Sequence, residues 1–246
     1  WVIEGIVPFK FFNYKKWKHS IPNFLLTLTT IIVNFFFAFL LVFAADWTNE
    51  NNFGVIHLVN STTLVSLILG LLVLDLIGAY LPHLVQHKVK LLWYIHIVHH
   101  TDHNVDTTTA NRHHPFESVV RFIFTFIGIL ISGAPIGLVL MYQSISVIAS
   151  QFNHANIQIS NKVDKLLSYI IVSPNMHKVH HHFELPYTDS NYGNIFSIWD
   201  RLFGTYMELN KDKIVYGVDT DLDEVKNSKF TSLIERPFKK WFNHLN

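Results

Sequence analysis

The residues best equipped for chemistry in this chain are histidines, and they come in sets. His83 and His87 in HLVQH stand four apart, His96, His99 and His100 in HIVHH stand at i, i+3 and i+4, and His177, His180 and His181 in HKVHH repeat that pattern. On a helix, side chains three and four apart share one face, so each set aims two or three imidazoles in a single direction. Thirteen of the sixteen histidines fall between positions 83 and 182, with His154 standing between the second and third sets. Imidazoles crowded beside an apolar medium repel one another when charged and lie desolvated when neutral, unless a cation organises them. Metal binding is the economical reading. The candidate ligands are His83, His87, His96, His99, His100, His154, His177, His180 and His181. A zinc ion closes with four ligands when structural and takes about three from protein when catalytic, so nine candidates suit two ions better than one. Imidazole accommodates zinc, copper, nickel or iron and does not choose among them. The isolated His19, His57 and His244 read as interfacial or exposed side chains.

Carboxylates near these sets are scarce. Asp75 precedes His83 by eight residues inside an apolar run, where an ionisable group is expensive and usually faces a site or a partner. Metal-bound imidazoles commonly donate their other N–H to such a group, which makes Asp75 a candidate outer partner, with Asp102, Asp106 and Glu117 as alternatives. In NRHHPFE, His113 and His114 stand beside Glu117, and three roles stay open there: binding metal, orienting a ligand, or capping a helix. Asn191 and Asp200 are further candidates for supporting the site from outside. Residues 191–193 and 199–201 either line a substrate entrance or pack the cap on the bundle; packing is favoured, with Asp200 and Arg201 as a buried or semi-buried pair.

The elements that must hold these side chains are apolar. Half of the 246 residues are hydrophobic (50%), only 15% are charged, and the mean hydropathy is positive, a balance that places much of the chain in lipid. Residues 21–45 carry no charge, and as a helix they would reach about 37 Å, enough to span a hydrocarbon core of about 30 Å with some tilt. Residues 58–85 hold one formal charge, Asp75. Residues 116–132 and 136–152 are shorter apolar stretches separated by Gly133, Ala134 and Pro135, a turn signal, and they predict a helical hairpin that either spans or re-enters. The expected fold is an all-α integral membrane bundle of about four transmembrane helices with a cytosolic histidine-rich cap. Lys10, Lys15, Lys16 and Lys18 precede the first span and Lys88 and Lys90 follow the second, while the loop between them has neither Lys nor Arg. The positive-inside rule then puts every histidine set on the cytoplasmic side. The expected organisation is an interfacial lead-in over 1–20, a membrane-embedded catalytic domain over 21–206, and a polar cytosolic tail over 207–246 whose basic amphipathic end lies on the membrane surface. The first segment lacks the features of a signal peptide. With compact size and no organelle signal, a bacterial inner membrane is the expected location.

Composition also excludes. A net charge of +1 with balanced Lys, Arg, Asp and Glu gives no argument for nucleic acid. The absence of cysteine removes disulfides, thiolate nucleophiles and Cys-ligated metal sites.

The three histidine boxes, H-x3-H, H-x2-H-H and H-x2-H-H, resemble in order and placement those of the fatty acid hydroxylase and sterol desaturase superfamily of integral membrane oxygenases. The likeness extends through NRHHPFE, QFNHAN around His154, SPNMH before the last box, and NYGNIFSIWDRLFGT over 191–205. It covers residues 75–206, over half the chain. The resemblance implies a transmembrane bundle capped by a histidine-rich domain with two iron ions, O2 as co-substrate and a lipid substrate. Carried over box by box, the ligands are the eight box histidines, and His154 matches a further family histidine. Some members carry another histidine four residues later, where this chain has Gln158. Nothing in the chain resembles a fused haem domain, so the resemblance implies a separate electron donor, protein or small molecule.

The leading expectation is an O2-dependent lipid hydroxylase or desaturase. A membrane metal transporter and a membrane zinc hydrolase are the alternatives. Histidines gathered at one surface do not line a path through the spans, which disfavours transport. A hydrolase would work without oxygen.

Overall fold

The computed structural model describes residues 1–59 and 62–245, and the side chain of His244 lies outside the described residues. Among the described residues the protein is helical, with isolated β-bridges and no strand. A short α1 (Val2–Ile6) leads into α2 (Lys16–Glu50). The short α3 (Val55–Leu58) is followed by α4 (Thr63–Asp75), which continues through a π-helical turn at Leu76–Tyr80 into α5 (Leu81–Lys88). Then come α6 (Lys90–His100), α7 (Pro115–Ser132), α8 (Ile136–His154), α9 (Asn161–Leu167), α10 (Pro174–His180), α11 (Ile198–Leu202), α12 (Glu224–Asn227) and α13 (Phe230–Leu245).

The all-helical membrane architecture expected from hydropathy is the one observed. Segments Lys16–Leu58, Thr63–Lys88 and Pro115–Ser132 are long and apolar enough to cross a membrane. Along α2, Phe35, Phe36, Phe39 and Phe43 are exposed on the bundle surface, as lipid-facing residues should be. The helix outruns the apolar stretch at both ends, because Lys16 to Ser20 and Asp46 to Glu50 continue its backbone hydrogen bonds past the apolar core. The fourth apolar stretch forms α8, as long as α7, but Gln143, Ser146, Ser150 and Gln151 turn into a cavity between helices.

Two antiparallel hairpins make the bundle, α2 leading into α4 and α5, and α7 into α8; their arms pack across each other, α2 on α7 and α4 on both α7 and α8, and each hairpin turns at the end remote from the histidines. The two turns touch there. Gly54 (φ +108°) and Gly133 (φ +72°) lie so close that a Cβ on Gly54 would sit 2.3 Å from the Gly133 nitrogen. His57 accordingly spends its ring on a structural bond, Nε2 lying 3.1 Å from the Gly133 carbonyl. Above this junction Ala44, Ala45, Leu74, Ile129, Leu138 and Val139 form a core of mostly small and branched side chains. Since α5 returns from the turn to His83 and His87, and α8 returns to His154, the topology delivers remote histidines to one end of the bundle.

Candidate metal centre

Four helices supply the imidazoles. On α5, His83 and His87 fall one turn apart; on α6, His96, His99 and His100 occupy adjacent faces of the last turn; on α10, a Ser173 side-chain cap and Pro174 at the first position start a short helix that carries His177 and His180 before ending at His181. His154 closes α8.

The structure brings all nine predicted imidazoles together and sorts them into two sets. In one, a ring nitrogen from each of His83, His87, His96, His100 and His180 lies within 4.8 Å of every other; in the second the same holds for His99, His154, His177 and His181. Both sets draw on α6 and α10, so adjacent residues part company: His99 joins one set and His100 the other. The sets abut, with 4.7 Å between the ring centroids of His100 and His181. His83 is half-buried and the other eight are buried.

Hydrogen bonding shows which nitrogen is available. In the first set the Nδ1 atoms face outward: His83 to the Tyr192 carbonyl at 2.8 Å, His87 to Asp189 Oδ1 at 3.2 Å, His96 to Glu117 Oε2 at 3.1 Å and His180 to the Ser190 carbonyl at 2.7 Å. The Nε2 atoms of these four rings are buried without a hydrogen-bond partner and point into the space they share with His100. In the second set His154 donates Nδ1–H to the Ser150 carbonyl at 2.7 Å, which leaves its Nε2 as a bare lone pair. The Nε2 atoms of His99, His177 and His181 approach that lone pair at 3.1, 3.0 and 3.1 Å. One lone pair cannot accept three such bonds, but a shared cation satisfies all four nitrogens at once. The donor set therefore fits metal ions.

Electrostatics agree. Burial, and then the charge of neighbouring imidazoles, pushes His99, His100, His177 and His181 well below the ordinary histidine value, and burial takes His180 down to about 3. The rings are neutral at pH 7, the form that binds metal. Trp93 and Tyr192 wall the first set, at centroid distances of 4.8 and 5.1 Å from His87, and keep solvent from it.

The expected outer partners divide. Glu117, fully buried, takes His96 on one oxygen and His113 Nδ1 on the other at 2.9 Å. His113 stacks on His99 with centroids 4.5 Å apart, and with His96 and Glu117 it forms a further group of ligand-type atoms. Of the roles left open for His114, the structure shows the cap: it accepts from Phe116 N–H at 3.2 Å at the start of α7 and reaches the Ile234 carbonyl with Nε2, so it meets no clustered imidazole and is no outer partner of one. Asp75 also needs correction, because its carboxylate accepts from Ile195 N–H, Phe196 N–H and Trp199 Nε1–H at 3.3, 3.1 and 2.9 Å instead of from an imidazole. Nor does Asp200 pair with Arg201. It accepts from Tyr192 N–H, Gly193 N–H and the Thr205 hydroxyl, while Arg201 donates to Ser168 and stacks on Tyr206. Asn191, in the left-handed region at φ 53°, ties Met176 to Met207 through its amide.

These three residues act at one remove, because they fix the segment over 189–199 whose Asp189, Ser190 and Tyr192 orient three of the clustered imidazoles. Sequence reasoning singled out Asn191 and Asp200 there but missed Asp189, Ser190 and the Tyr192 carbonyl, which meet the rings. Two of these acceptors are main-chain carbonyls and carry no side-chain signature, whereas Asp189 was legible as a carboxylate close behind the third box. Asp102 and Asp106 turn away from the centre to His19, at 2.8 and 3.4 Å.

A cavity of about 410 Å³ between α2, α7 and α8 runs from Asn111 and His113 at the histidine end to Leu41, Val42 and Ile136 near the turns. It shares His113, Arg121 and Ser150 with a smaller pocket of about 30 Å³ bordered by His83, His96, His99, His154 and His177. The cavity therefore adjoins the imidazole centre at these three residues.

Comparison with known proteins points the same way. The profile of the family described as Fatty acid hydroxylase matches residues 67–205. Alkylglycerol monooxygenase of Homo sapiens is 27% identical over 173 residues, 68% of this chain and 34% of the relative. Ornithine lipid hydroxylase OlsE of Rhizobium tropici is 27% identical over 139 residues, 56% of this chain and 41% of the relative. Alkylglycerol monooxygenase of Danio rerio is 32% identical over 145 residues, 57% of this chain and 30% of the relative. The chain spans less than half the length of these relatives, and no solved structure gives a significant match. The histidine boxes lie inside the matched region, and the chain belongs to the fatty acid hydroxylase family.

Proposed function

We propose that this integral membrane protein is an O2-dependent lipid monooxygenase that holds two iron ions, one on His83, His87, His96, His100 and His180 and the other on His99, His154, His177 and His181. The observation that carries this reading is the split of nine imidazoles into two abutting sets of converging ring nitrogens beside a cavity of about 410 Å³. A pair of redox-active irons supplies what no side chain can, the reduction of O2 to an oxidant able to attack an unactivated C–H bond. Overall, one oxygen atom enters the C–H bond, the other leaves as water, and two electrons and two protons come from a separate donor.

The chain's own residues do the positioning. Glu117, Asp189 and the carbonyls of Ser190 and Tyr192 hold Nδ1–H on four rings so that Nε2 faces inward. Trp93 and Tyr192 exclude water, and the cavity between α2, α7 and α8 presents the lipid chain. The lysines before and at the start of α2 and those at the junction of α5 and α6 argue for a cytoplasmic site. The domain boundaries proposed are those of the sequence, with the lead-in shortened because α2 begins at Lys16.

The test is turnover. Protein loaded with iron and given a reductant should consume O2 and hydroxylate a component of a total lipid extract, and His99→Ala or His180→Ala should abolish both. Lipid turnover that continues without oxygen would contradict the reading and favour a hydrolase.

A further inference from the structure

Arg121 sits where an apolar cavity has no evident use for a cation. It lies one turn below Glu117 on α7, and it lines both the 410 Å³ cavity and the small pocket bordered by the imidazoles, so it stands at the neck between them. Among the described residues its one ion pair is with Glu117 Oε1, at 3.8 Å, and no hydrogen bond holds its guanidinium. That carboxylate is already engaged by His96 and His113. The side chain is 40% exposed, and it lines the cavity. A guanidinium offers five N–H donors in a planar fork that matches the two oxygens of a carboxylate or phosphate. Within a membrane span such an unspent cation marks a substrate or partner of opposite charge.

The cavity is graded in the same sense. Near the neck, Asn111, Ser150 and Gln151 accompany Arg121; toward the turns the lining becomes Leu41, Val42 and Ile136. An amphiphile matched to this gradient puts its headgroup at the neck and its tail toward the turns.

We propose that Arg121 receives the anionic headgroup of the lipid substrate, a carboxylate or a phosphate, and thereby presents to the metal centre a carbon within the first few bonds of that headgroup. The inference rests on the lipid monooxygenase reading. The C–H bond attacked becomes C–OH with one atom of O2, the second atom leaving as water, with two electrons from an external electron carrier and two protons from solvent. Mid-chain and terminal carbons lie down the cavity, away from the imidazoles.

Binding of hexadecanoate, hexadecyl phosphate and hexadecanol to the full chain in nanodiscs tests this without turnover. At least one anionic probe should bind about tenfold or more tightly than hexadecanol, and which of them does so separates a free-acid from a phospholipid-type headgroup. Arg121→Gln should erase that preference and Arg121→Lys should keep part of it, because charge survives but the fork does not. Equal binding of all three probes to the unaltered protein, or a preference that survives Arg121→Gln in a variant with an unchanged helical spectrum, would overturn the proposal. Mapping the product adds a second readout: a hydroxyl within a few carbons of the headgroup supports it, and one at mid-chain or at the terminal methyl overturns it. Metal content and O2 consumption of the same preparation report on the oxygenase reading separately. A protein that prefers anionic probes yet holds no metal keeps the headgroup site and loses the proposed function.

Discussion

Glu117 shows how a single buried carboxylate sets the chemistry of its neighbours. By accepting the Nδ1 proton of His96 it fixes which nitrogen of that ring faces the centre, while His113 Nδ1 lies 2.9 Å from its other oxygen. Glu117→Gln keeps the shape but weakens the acceptor, and metal affinity should fall about 10- to 100-fold in a chelator competition while the helical spectrum is unchanged. Asp106 supports a different prediction. Burial alone would raise its carboxyl, but hydrogen bonds from His19, Thr108 and Tyr14, together with the charge of His19, hold it below its ordinary value of 3.8. A group with a depressed folded value contributes stability that is complete above the unfolded value and is lost as pH falls through the folded one. Asp106→Asn should therefore cost about 2 kcal/mol at pH 7, and in denaturant melts the gap from the unaltered protein should close as pH drops below the unfolded carboxylate value, about 3.9. A gap that widens on acidification would reverse the sign. The imidazole sets were legible at this scale because i, i+3 and i+4 spacings are local. The partners of those imidazoles were less so: His114 reads equally as ligand or cap until its neighbours are known, and the carbonyls of Ser190 and Tyr192 have no sequence signature.

Among the elements, α7 and α8 have the widest influence, because their turn against the loop after α2 closes the bundle. Gly133 is in the left-handed region, and a Cβ there would meet the Phe53 carbonyl at 2.3 Å and His57 Cδ2 at 2.7 Å. Gly133→Ala should cost about 2 to 4 kcal/mol and lower the melting temperature, while the fraction that folds retains its metal, because the strained turn lies at the far end of the bundle. Parallel loss of metal would mean that the turn and the centre are more tightly coupled than this geometry describes. The apolar runs announced the helices and Gly133 with Pro135 announced the turn. The ends of α2 were harder to place, since hydropathy marks the lipid-facing part of a helix and says nothing of backbone hydrogen bonds that continue through polar flanks. The polar face of α8 had no clear reading in sequence, because Gln143, Ser146 and Gln151 find their use only in a cavity built with α2 and α7.

For the whole molecule, the consequence of two returning helix pairs is that everything reactive lies at one end. The chain has no cysteine, so single introduced thiols report on sidedness without interference. With the proposed orientation, a membrane-impermeant maleimide applied to intact cells should label Asn51→Cys beside the turns and leave Asp212→Cys unlabelled until the membrane is opened. The reverse pattern would invert the molecule without disturbing its fold. The convergence of residues 83 to 181 followed from counting spans and charges, whereas the division of their imidazoles into sets of five and four needed three dimensions, since His99 and His100 are neighbours in sequence and belong to different sets. That division is what metal analysis tests most directly. Purified protein reconstituted with iron should hold two ions per chain, His180→Ala and His177→Ala should each reduce the count toward one, and the double variant should approach none. A single four-coordinate zinc, or a metal content that ignores both substitutions, would contradict the account.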